Sequence, residues 1–510
     1  MKKFGIAALI ILVLVLVGGW LFMRMMGGGM GGNMPGQGGG MMNGGGMGNG
    51  GMMGGGSGQV EDMKNESFAE GEKPLPIPPI LEDENPDPGK AEFTLVAQKG
   101  SMEFLEGKAT DTFGYNGDYL GPVIRVKKGD DVSVKVKNEI GEATTLHWHG
   151  LEVDGEDDGG PHNGIQPGTT WNPQFKIEQN AATLWYHPHL LHETGEHVYK
   201  GLAGLFLIDD EESEKLDLPD EYGVNDIPLI VQDKQLDENG QFDYDLSMHD
   251  VMMGLQGDTI MVNGAINPYV EVPKGKVRFR LLNGSNARIY QFALSNGQEF
   301  YQIGTDGGLM EKPVKLNSLI LSSAERAELI VDFSEYEEGQ TVELTDQGTS
   351  FMKFVVTGEE KGPKELPSQL ADIPQVDESM ASRTREFVMS GMGSNVTING
   401  KQMDMDRIDE QLKLHDTEIW EISNEGMGMM GNNMGMAHPF HGHGTQFLIL
   451  DRDGNPPPAN ERGWKDTILV APGEKVRAIA TFDHKGLFMY HCHILEHEDA
   501  GMMGQFTVEE

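Results

Sequence analysis

Histidine is concentrated in four short segments of this 510-residue chain. In a β-strand, residues i and i+2 face the same side, so a His-x-His pair can present two imidazoles together. Imidazole nitrogen is a common transition-metal ligand, and four such pairs predict a site for several ions rather than isolated core or surface histidines. The segments hold ten of the 16 histidines: His147 and His149; His187 and His189; His438, His441 and His443; and His491, His493 and His497.

The single cysteine, Cys492, indicates a second kind of metal site. It lies between two histidines, so in a strand its thiolate points to the face opposite theirs. There it can meet His497 and Met502, which follow it in the chain. A thiolate, two imidazoles and a distant thioether are the ligands of a blue-copper electron-transfer site. His438 is the candidate for the second imidazole, because it stands apart from the His-x-His pair of its own segment.

Taken together, these segments resemble the four copper motifs of the multicopper oxidases, and most of all the bacterial laccase-like and cuprous-oxidase (copper-efflux oxidase) branch. The resemblance covers roughly residues 90–510. It implies an all-β fold of three cupredoxin-like Greek-key β-sandwich domains and four copper ions per chain. The segments that carry it are HWHG, WYHPH, HPFHGHGTQF, HCHILEHEDAGMM, GLAGLFLIDD, VNGAINPYVEV and RFRLLNGSNARIY.

The resemblance also implies which copper ion each residue binds. In this assignment every motif histidine is used once. It assigns one type 1 copper, one type 2 copper and a type 3 pair. The implied ligands are His438, Cys492, His497 and Met502 for type 1; His147 and His441 for type 2; and His149, His187, His189, His443, His491 and His493 for type 3.

The implied reaction couples four one-electron oxidations at the type 1 copper to reduction of O2 to two waters at the trinuclear cluster. Cys492 is covalently continuous with the two histidines that flank it, which gives electrons a short path. Asp158 and Glu498 resemble the family's proton-carrying acids. The alternative for both is a solvated surface carboxylate, common in so acidic a chain.

The substrate is less well defined by sequence. Met389 and Met436 resemble two methionines that bind Cu(I) in the cuprous-oxidase branch, whereas Met434 and Ser394 stand where its aspartates are expected. A methionine-rich loop before His438 could replace those ligands, or its thioethers could simply pack over the copper edge. We expect a laccase-type oxidase of phenolic reductants that also takes Cu(I), with a role in copper tolerance. The candidate Cu(I) ligands are Met389, Met427, Met429, Met430, Met434 and Met436.

The sequence disfavours some alternative functions and leaves others open. A two-domain copper nitrite reductase is disfavoured by the length of the chain and its full set of four motifs. An Mn(II) or Fe(II) metallo-oxidase and a non-catalytic copper-sequestering surface protein remain open. The net charge of −41 repels phosphate backbones, so nucleic acid is excluded as a partner. We expect a monomer, with O2 and a small reductant or Cu(I) as its partners.

The globular part reads as short alternating runs, at 123–126, 132–136, 277–282 and 475–480, separated by Gly, Pro, Asn and Asp. A similar sequence pattern of strand, polar turn and strand recurs at 122–138, 268–285 and 412–426, which suggests three related domains. The predicted domains are domain 1 at 61–215, domain 2 (no copper) at 216–365 and domain 3 (type 1 copper) at 366–510.

The N-terminus differs in composition from the rest. Residues 5–22 are apolar and uncharged and follow Lys2 and Lys3, which predicts a membrane anchor within 1–26, with a cleaved secretion signal as the alternative. Residues 27–60 are rich in Gly and Met and predict a flexible tether that either gathers copper or acts as a spacer. The expected location is extracytoplasmic, at the cell surface.

Overall fold

The structure is a computed structural model that describes residues 73–374, 377–426 and 435–510. These residues belong to one compact unit, Ser57–Glu510. The predicted anchor (1–26) and tether (27–60) lie outside the described residues. Within the described ranges, no helix is long and apolar enough to span a bilayer.

The N-terminal third of the described chain forms two sheets. One has the order β2-β1-β4-β6, with β7 also on β4, and the other has the order β3-β9-β8-β5. Each mixes antiparallel pairs with one parallel pair, β1 with β4 and β3 with β9. The strands are β1 (Lys90–Leu105), β2 (Lys108–Tyr115), β3 (Ile124–Lys127), β4 (Asp131–Glu139), β5 (His147–His149), β6 (Thr170–Trp171), β7 (Gln174–Lys176), β8 (Ala182–His187) and β9 (Gly204–Asp209).

The middle third forms an 11-stranded mixed sheet. Its long strand β13 pairs in parallel with β10 and β20 and antiparallel with β18, and so joins the two ends of the sheet. The strands are β10 (Asp226–Lys234), β11 (Thr259–Val262), β12 (Ala265–Ile266), β13 (Tyr269–Asn283), β14 (Tyr290–Leu294), β15 (Phe300–Thr305), β16 (Gly308–Leu316), β17 (Leu319–Leu321), β18 (Arg326–Asp332), β19 (Thr341–Asp346) and β20 (Thr349–Lys361).

The C-terminal third forms two five-stranded sheets, of order β22-β21-β24-β28-β26 and β23-β30-β29-β25-β27. The strands are β21 (Arg383–Ser390), β22 (Thr397–Ile398), β23 (Glu410–Lys413), β24 (Thr417–Asn424), β25 (His438–Gly442), β26 (Leu448–Arg452), β27 (Thr467–Val470), β28 (Lys475–Thr481), β29 (Gly486–Cys492) and β30 (Met503–Glu509). The described chain is thus mostly β, as predicted, and the alternating runs singled out above fall within or overlap strands.

Helical structure is short throughout the described ranges. The α-helices are α1 (Thr194–Lys200), α2 (Met248–Met253) and α3 (Leu495–Asp499), and the 3₁₀ turns are Ser213–Lys215, Glu378–Met380, Gly393–Asn395 and Ala459–Glu461. A capping box starts α2: the Ser247 hydroxyl accepts from the Asp250 amide, and the Asp250 carboxylate accepts from the Ser247 amide. Helix α2 packs against both α3 and the Gly393–Asn395 turn.

Apolar side chains from facing sheets fill the cores. In the N-terminal third, Val134 of β4 and Phe206 of β9 belong to one buried cluster, so the two sheets pack face to face. Trp148 also lies in that core, since it alternates with two histidines along β5. In the C-terminal third, Phe440 and Cys492 lie in the core on the same principle.

Strand pairing brings the four histidine segments together two at a time. In the N-terminal third, β5 pairs antiparallel with β8, which sets His147 opposite His187. In the C-terminal third, β25 pairs antiparallel with β29, which sets His441 opposite His491. Four segments that are distant in sequence therefore become two adjacent pairs of strand ends.

Candidate metal centre

Eight of the motif histidines form one buried cluster between the two strand pairs. All have side chains at most 1% exposed. Ring nitrogens within 4.8 Å of one another define three groups: His147, His149 and His441; His149, His187 and His493; and His189, His443 and His491. The structure therefore brings together all eight residues that the spacing predicted for a multinuclear site.

In several of these rings, the nitrogen that points away from the cluster donates a hydrogen bond to an oxygen atom. His147 Nδ1 donates to the Asp158 carbonyl at 2.9 Å, His187 Nδ1 to the Pro188 carbonyl at 2.7 Å and His441 Nδ1 to the Asp466 carbonyl at 2.8 Å. A carbonyl can only accept, so Nδ1 carries the proton and Nε2 presents a lone pair inward. Within the described residues, Nε2 of His147 and of His441 has no hydrogen-bond partner.

His149 is oriented the other way round. Its Nε2 lies 3.0 Å from Asp466 Oδ1 and 3.2 Å from the Thr467 hydroxyl, while its Nδ1 lies 3.3 Å from His187 Nε2. The Asp466 carboxylate accepts from Nε2, which leaves Nδ1 as the inward ligand atom. His149 thus reaches the cluster through the opposite nitrogen from His147, its neighbour on the same strand.

The third group is the clearest test of whether cations fit. Nε2 of His189, of His443 and of His491 lie 3.1–3.2 Å apart. Their Nδ1 atoms face oxygen: Asp158 Oδ2 at 2.8 Å for His443, and Glu498 at 3.3 Å for His189 and 3.1 Å for His491. Three lone pairs therefore converge in a buried space, an arrangement that repels itself unless a cation lies among them.

Burial favours the neutral form of several of these imidazoles. It lowers the pKa of His189 and of His493 to about 3, with neighbouring imidazoles adding to the effect. The pKa of His187 and of His443 falls well below the ordinary value for the same reasons. A neutral imidazole is the metal-binding form, so these four rings can bind cations without first losing protons.

A second cluster lies on the other face of β29. Cys492 Sγ is 3.4 Å from His438 Nδ1 and 4.0 Å from His497 Nδ1, and Met502 is fully buried beside them in the same core. Burial raises the pKa of the Cys492 thiol and lowers that of His438 to about 3 and of His497 to about 4. A thiolate here needs a bound cation, and the donor set of sulfur and two imidazoles suits copper.

Both predicted proton carriers are buried at the larger cluster. Asp158 is 2% exposed, and its Oδ2 accepts from His443 Nδ1 at 2.8 Å. Glu498 is fully buried, with Oε1 3.3 Å from His189 Nδ1 and Oε2 3.1 Å from His491 Nδ1. Burial opposes ionisation of Glu498, but the neighbouring imidazoles lower its pKa overall. The alternative of solvated surface carboxylates does not describe either residue.

Three residues at these clusters had no motif in the sequence. Asp466 holds His149 and His441, and Arg326 in turn holds Asp466 through Nη1 at 2.7 Å and Nη2 at 2.5 Å. Met252 of α2 accepts through its carbonyl from His497 Nε2 at 3.1 Å. No local pattern marks them, because each acts across a contact between distant parts of the chain.

The methionines proposed as Cu(I) ligands are only partly described. Met389 is fully buried in the C-terminal core, and Met436 packs partly buried against that core, with its carbonyl accepting from Asn424 Nδ2 at 2.9 Å. Met427, Met429, Met430 and Met434 lie outside the described residues. The six histidines not assigned to copper (His162, His192, His197, His249, His415 and His484) join none of the candidate metal-binding groups of the described residues.

Comparisons with known proteins agree with this geometry. Two family models, each described as "Multicopper oxidase", match residues 96–213 and 366–510. The "Multicopper oxidase mco" of Staphylococcus aureus is 42% identical over 445 residues, 87% of this chain and 94% of that protein.

Solved structures are similar over nearly the same range. A laccase from Pediococcus acidilactici is 43% identical with a TM-score of 0.83, covering 87% of this chain and 95% of that one. The laccase-like multi-copper oxidase CueO from Ochrobactrum sp., described as active towards lignin model compounds and lignosulfonate, is 38% identical with a TM-score of 0.77, covering 85% and 100%. With histidine and cysteine clusters that match the copper sites of these proteins, the chain belongs to the multicopper oxidase family, copper-dependent oxidoreductases that use O2.

Proposed function

We propose that the two clusters bind four copper ions as the motif resemblance implies. His438, Cys492, His497 and Met502 would hold type 1 copper, and His147 and His441 type 2. The remaining six histidines fall into two groups of three, which supports a type 3 pair: His149, His187 and His493 for one ion, and His189, His443 and His491 for the other. The convergence of three Nε2 lone pairs at 3.1–3.2 Å is the observation that carries this proposal.

We also propose that the protein consists of three cupredoxin-like Greek-key domains, with the ranges 61–215, 216–365 and 366–510. Two features support this. The sheets occupy three successive stretches of chain, and the first and third stretches each pack two sheets around one core. Domains 1 and 3 would then contribute all the copper ligands, and domain 2 none.

The proposed reaction removes one electron from each of four reductants and uses four electrons and four protons to convert O2 to two waters. Bound copper would supply the one-electron redox chemistry and the site of O2 reduction. Cys492 is joined through its backbone to His491 and His493, so a short covalent path connects the two clusters. Asp158 and Glu498 hold oxygen atoms against ligand imidazoles and are the acids placed to relay protons.

The proposed reductants are phenolic compounds, Cu(I) or both, with copper tolerance as the biological role. The relatives described as laccases support the first class. Met252, whose backbone carbonyl accepts from the type 1 ligand His497, is a thioether-bearing residue in contact with that ligand and supports the second. The formal charge of −41 favours the approach of cations over anions.

We propose that the protein is a monomer. We also propose that residues 1–26 hold it at the outer face of the membrane. The uncharged apolar run at 5–22 after two lysines supports this orientation. Cell fractionation tests the attachment to the membrane. Protease digestion of intact cells tests the exposure of the protein at the outer face. Loss of the protein from intact cells is expected, and full protection from the protease would contradict an external location.

Oxygen uptake by the copper-loaded protein, measured with Cu(I) and with a simple phenol, tests the function. One O2 consumed for every four electrons delivered is expected. Faster uptake with Cu(I) would make the protein a copper-resistance oxidase, and faster uptake with phenol would make it a laccase. No uptake with either, from protein that holds four coppers, would contradict the proposal and leave Mn(II) or Fe(II) oxidation or copper sequestration as the function.

A further inference from the structure

A buried carboxylate connects the histidine cluster to the middle third of the chain. Asp466 Oδ1 accepts from His149 Nε2 at 3.0 Å, and its backbone carbonyl accepts from His441 Nδ1 at 2.8 Å. One residue therefore contacts ligands from both copper-binding thirds of the protein. Asp466 is itself fully buried, so its charge must be balanced by protein groups or by metal.

Arg326 supplies that balance from β18. Its guanidinium is fully buried and binds both oxygens of Asp466, through Nη1 at 2.7 Å and Nη2 at 2.5 Å. Its other contacts are the carbonyls of Thr183 (Nε, 3.0 Å), Ala324 (Nη1, 2.9 Å) and Asp306 (Nη2, 3.0 Å). The guanidinium is thus held in one orientation, and it fixes the plane of the carboxylate.

Neighbouring residues pack closely around the Asp466 carboxylate. A Cβ built on Gly150 would lie 2.4 Å from Asp466 Oδ2 and 2.7 Å from Arg326 Nη2, so the glycine after His149 makes room for the pair. Gln446 Nε2 also donates to Oδ2 at 2.9 Å. The neighbouring Lys465 binds Asp306 and Glu325, both in the same third of the chain as Arg326.

Orientation matters because His149 is reversed relative to His147 on the same strand. An acceptor at Nε2 keeps the proton there and leaves the Nδ1 lone pair facing His187. Without that acceptor, the proton can move to Nδ1, the atom that must bind the metal. An asparagine amide at this position would have to turn an N–H group towards either His149 or the Arg326 guanidinium.

We propose that Asp466 and Arg326 are positioning residues, which hold His149 with Nδ1 towards the type 3 copper pair. The middle third of the chain, which provides no copper ligand, thereby controls the geometry of the trinuclear site. This inference rests on the proposed function, because it assumes that His149 binds one ion of that pair.

The test is copper content and electron paramagnetic resonance (EPR) of the copper-loaded full chain. Two coupled Cu(II) ions give no EPR signal, whereas an uncoupled Cu(II) does. Asp466→Asn should produce an additional Cu(II) signal or lose copper, and lower kcat by about 10- to 100-fold, while the blue absorption of the separate Cys492 site persists. Arg326→Lys keeps the positive charge but loses the pair of N–H donors that binds both oxygens of Asp466. The same changes should therefore occur to a smaller extent.

Arg288→Lys is the matched control, since Arg288 is a buried arginine of the same third that binds Asp233 at 2.7 Å and touches no copper ligand. It should leave the EPR spectrum unchanged. Spectra and kcat within twofold of the parent in both Asp466→Asn and Arg326→Lys would overturn the inference. If Asp466→Asn yields no blue protein, Arg326→Lys decides alone. A parent protein without blue absorption or an EPR-silent pair would instead contradict the proposed function.

Discussion

Asp158 Oδ2 accepts from His443 Nδ1 at 2.8 Å and lies 3.4 Å from His147 Nδ1. His443 comes from the C-terminal third and His147 from the N-terminal third, so one carboxylate contacts rings from both sides of the larger cluster. Its other oxygen, Oδ1, is buried and has no hydrogen-bond partner within the described part of the chain. An acceptor without a donor beside a metal-binding cluster is well placed to take a proton or a water.

Asp158→Asn should therefore lower kcat for O2 reduction by about 10- to 100-fold, because it removes the charge and the proton-accepting oxygen while keeping the shape. Copper content and blue absorption should change little, since the amide can still face His443. Oxygen uptake and copper analysis measure this. Glu156→Gln, at an exposed neighbour, is the control. Equal turnover by the two variants would remove Asp158 from the proton path.

Local sequence spacing was enough to predict which histidines, with Cys492, lie close together. His-x-His and the Cys492 segment depend only on strand alternation and short turns, and the structure brings these residues together as expected. The mostly β fold also follows from local alternation. The copper-type assignments and the three domain ranges remain predictions.

Contacts between distant segments were not predictable in the same way. Asp466 meets His149 across 317 residues, and Met252 meets His497 across 245. A lone aspartate just before a strand or a methionine on a short helix carries no spacing signal. Their partners are defined only once separate sheets have packed.

Cys492→Ser should abolish both the blue absorption and turnover. The thiol is fully buried between His438 and His497, and a serine hydroxyl is a far poorer ligand for copper than a thiolate. Absorption spectra and oxygen uptake of the copper-loaded variant measure the two effects. Met503→Leu changes a buried residue on the adjoining strand and should retain both. Oxidase activity that survives in Cys492→Ser would show that electrons enter elsewhere.

Met252→Leu should raise KM for Cu(I) several-fold and leave KM for a phenol unchanged. The backbone hydrogen bond to His497 is preserved, so only the thioether is lost. Met252 is partly exposed and packs against Gly393, where its Cγ lies 3.4 Å from the position a Cβ would take. Steady-state oxygen uptake with each reductant measures the split. A parallel change in both KM values would indicate altered packing rather than loss of a Cu(I) ligand.

Replacing Lys234 should increase the stability of the folded protein by an amount that depends on pH. It is fully buried, its Nζ has no hydrogen-bond partner among the described residues, and the nearest ring is Tyr199 at 4.2 Å. Burial lowers its pKa from 10.5 to about 7, although Asp233 and Glu496 partly offset this. Between these pH values the unfolded chain binds more protons than the folded one, so stability rises as pH rises from about 7 to 10.5.

The penalty is complete below pH 7 and absent above pH 10.5, so Lys234→Met should stabilise the protein most at pH 6 and least near pH 10. The expected gain at pH 6 is on the order of 5 kcal/mol, from 1.36 kcal/mol for each pKa unit between 10.5 and about 7. Thermal unfolding of the copper-loaded protein at several pH values measures it, with Lys364→Met as an exposed control. A gain that is equal at pH 6 and pH 10 would mean that folding does not lower the pKa of Lys234, and that the benefit of methionine comes from packing alone.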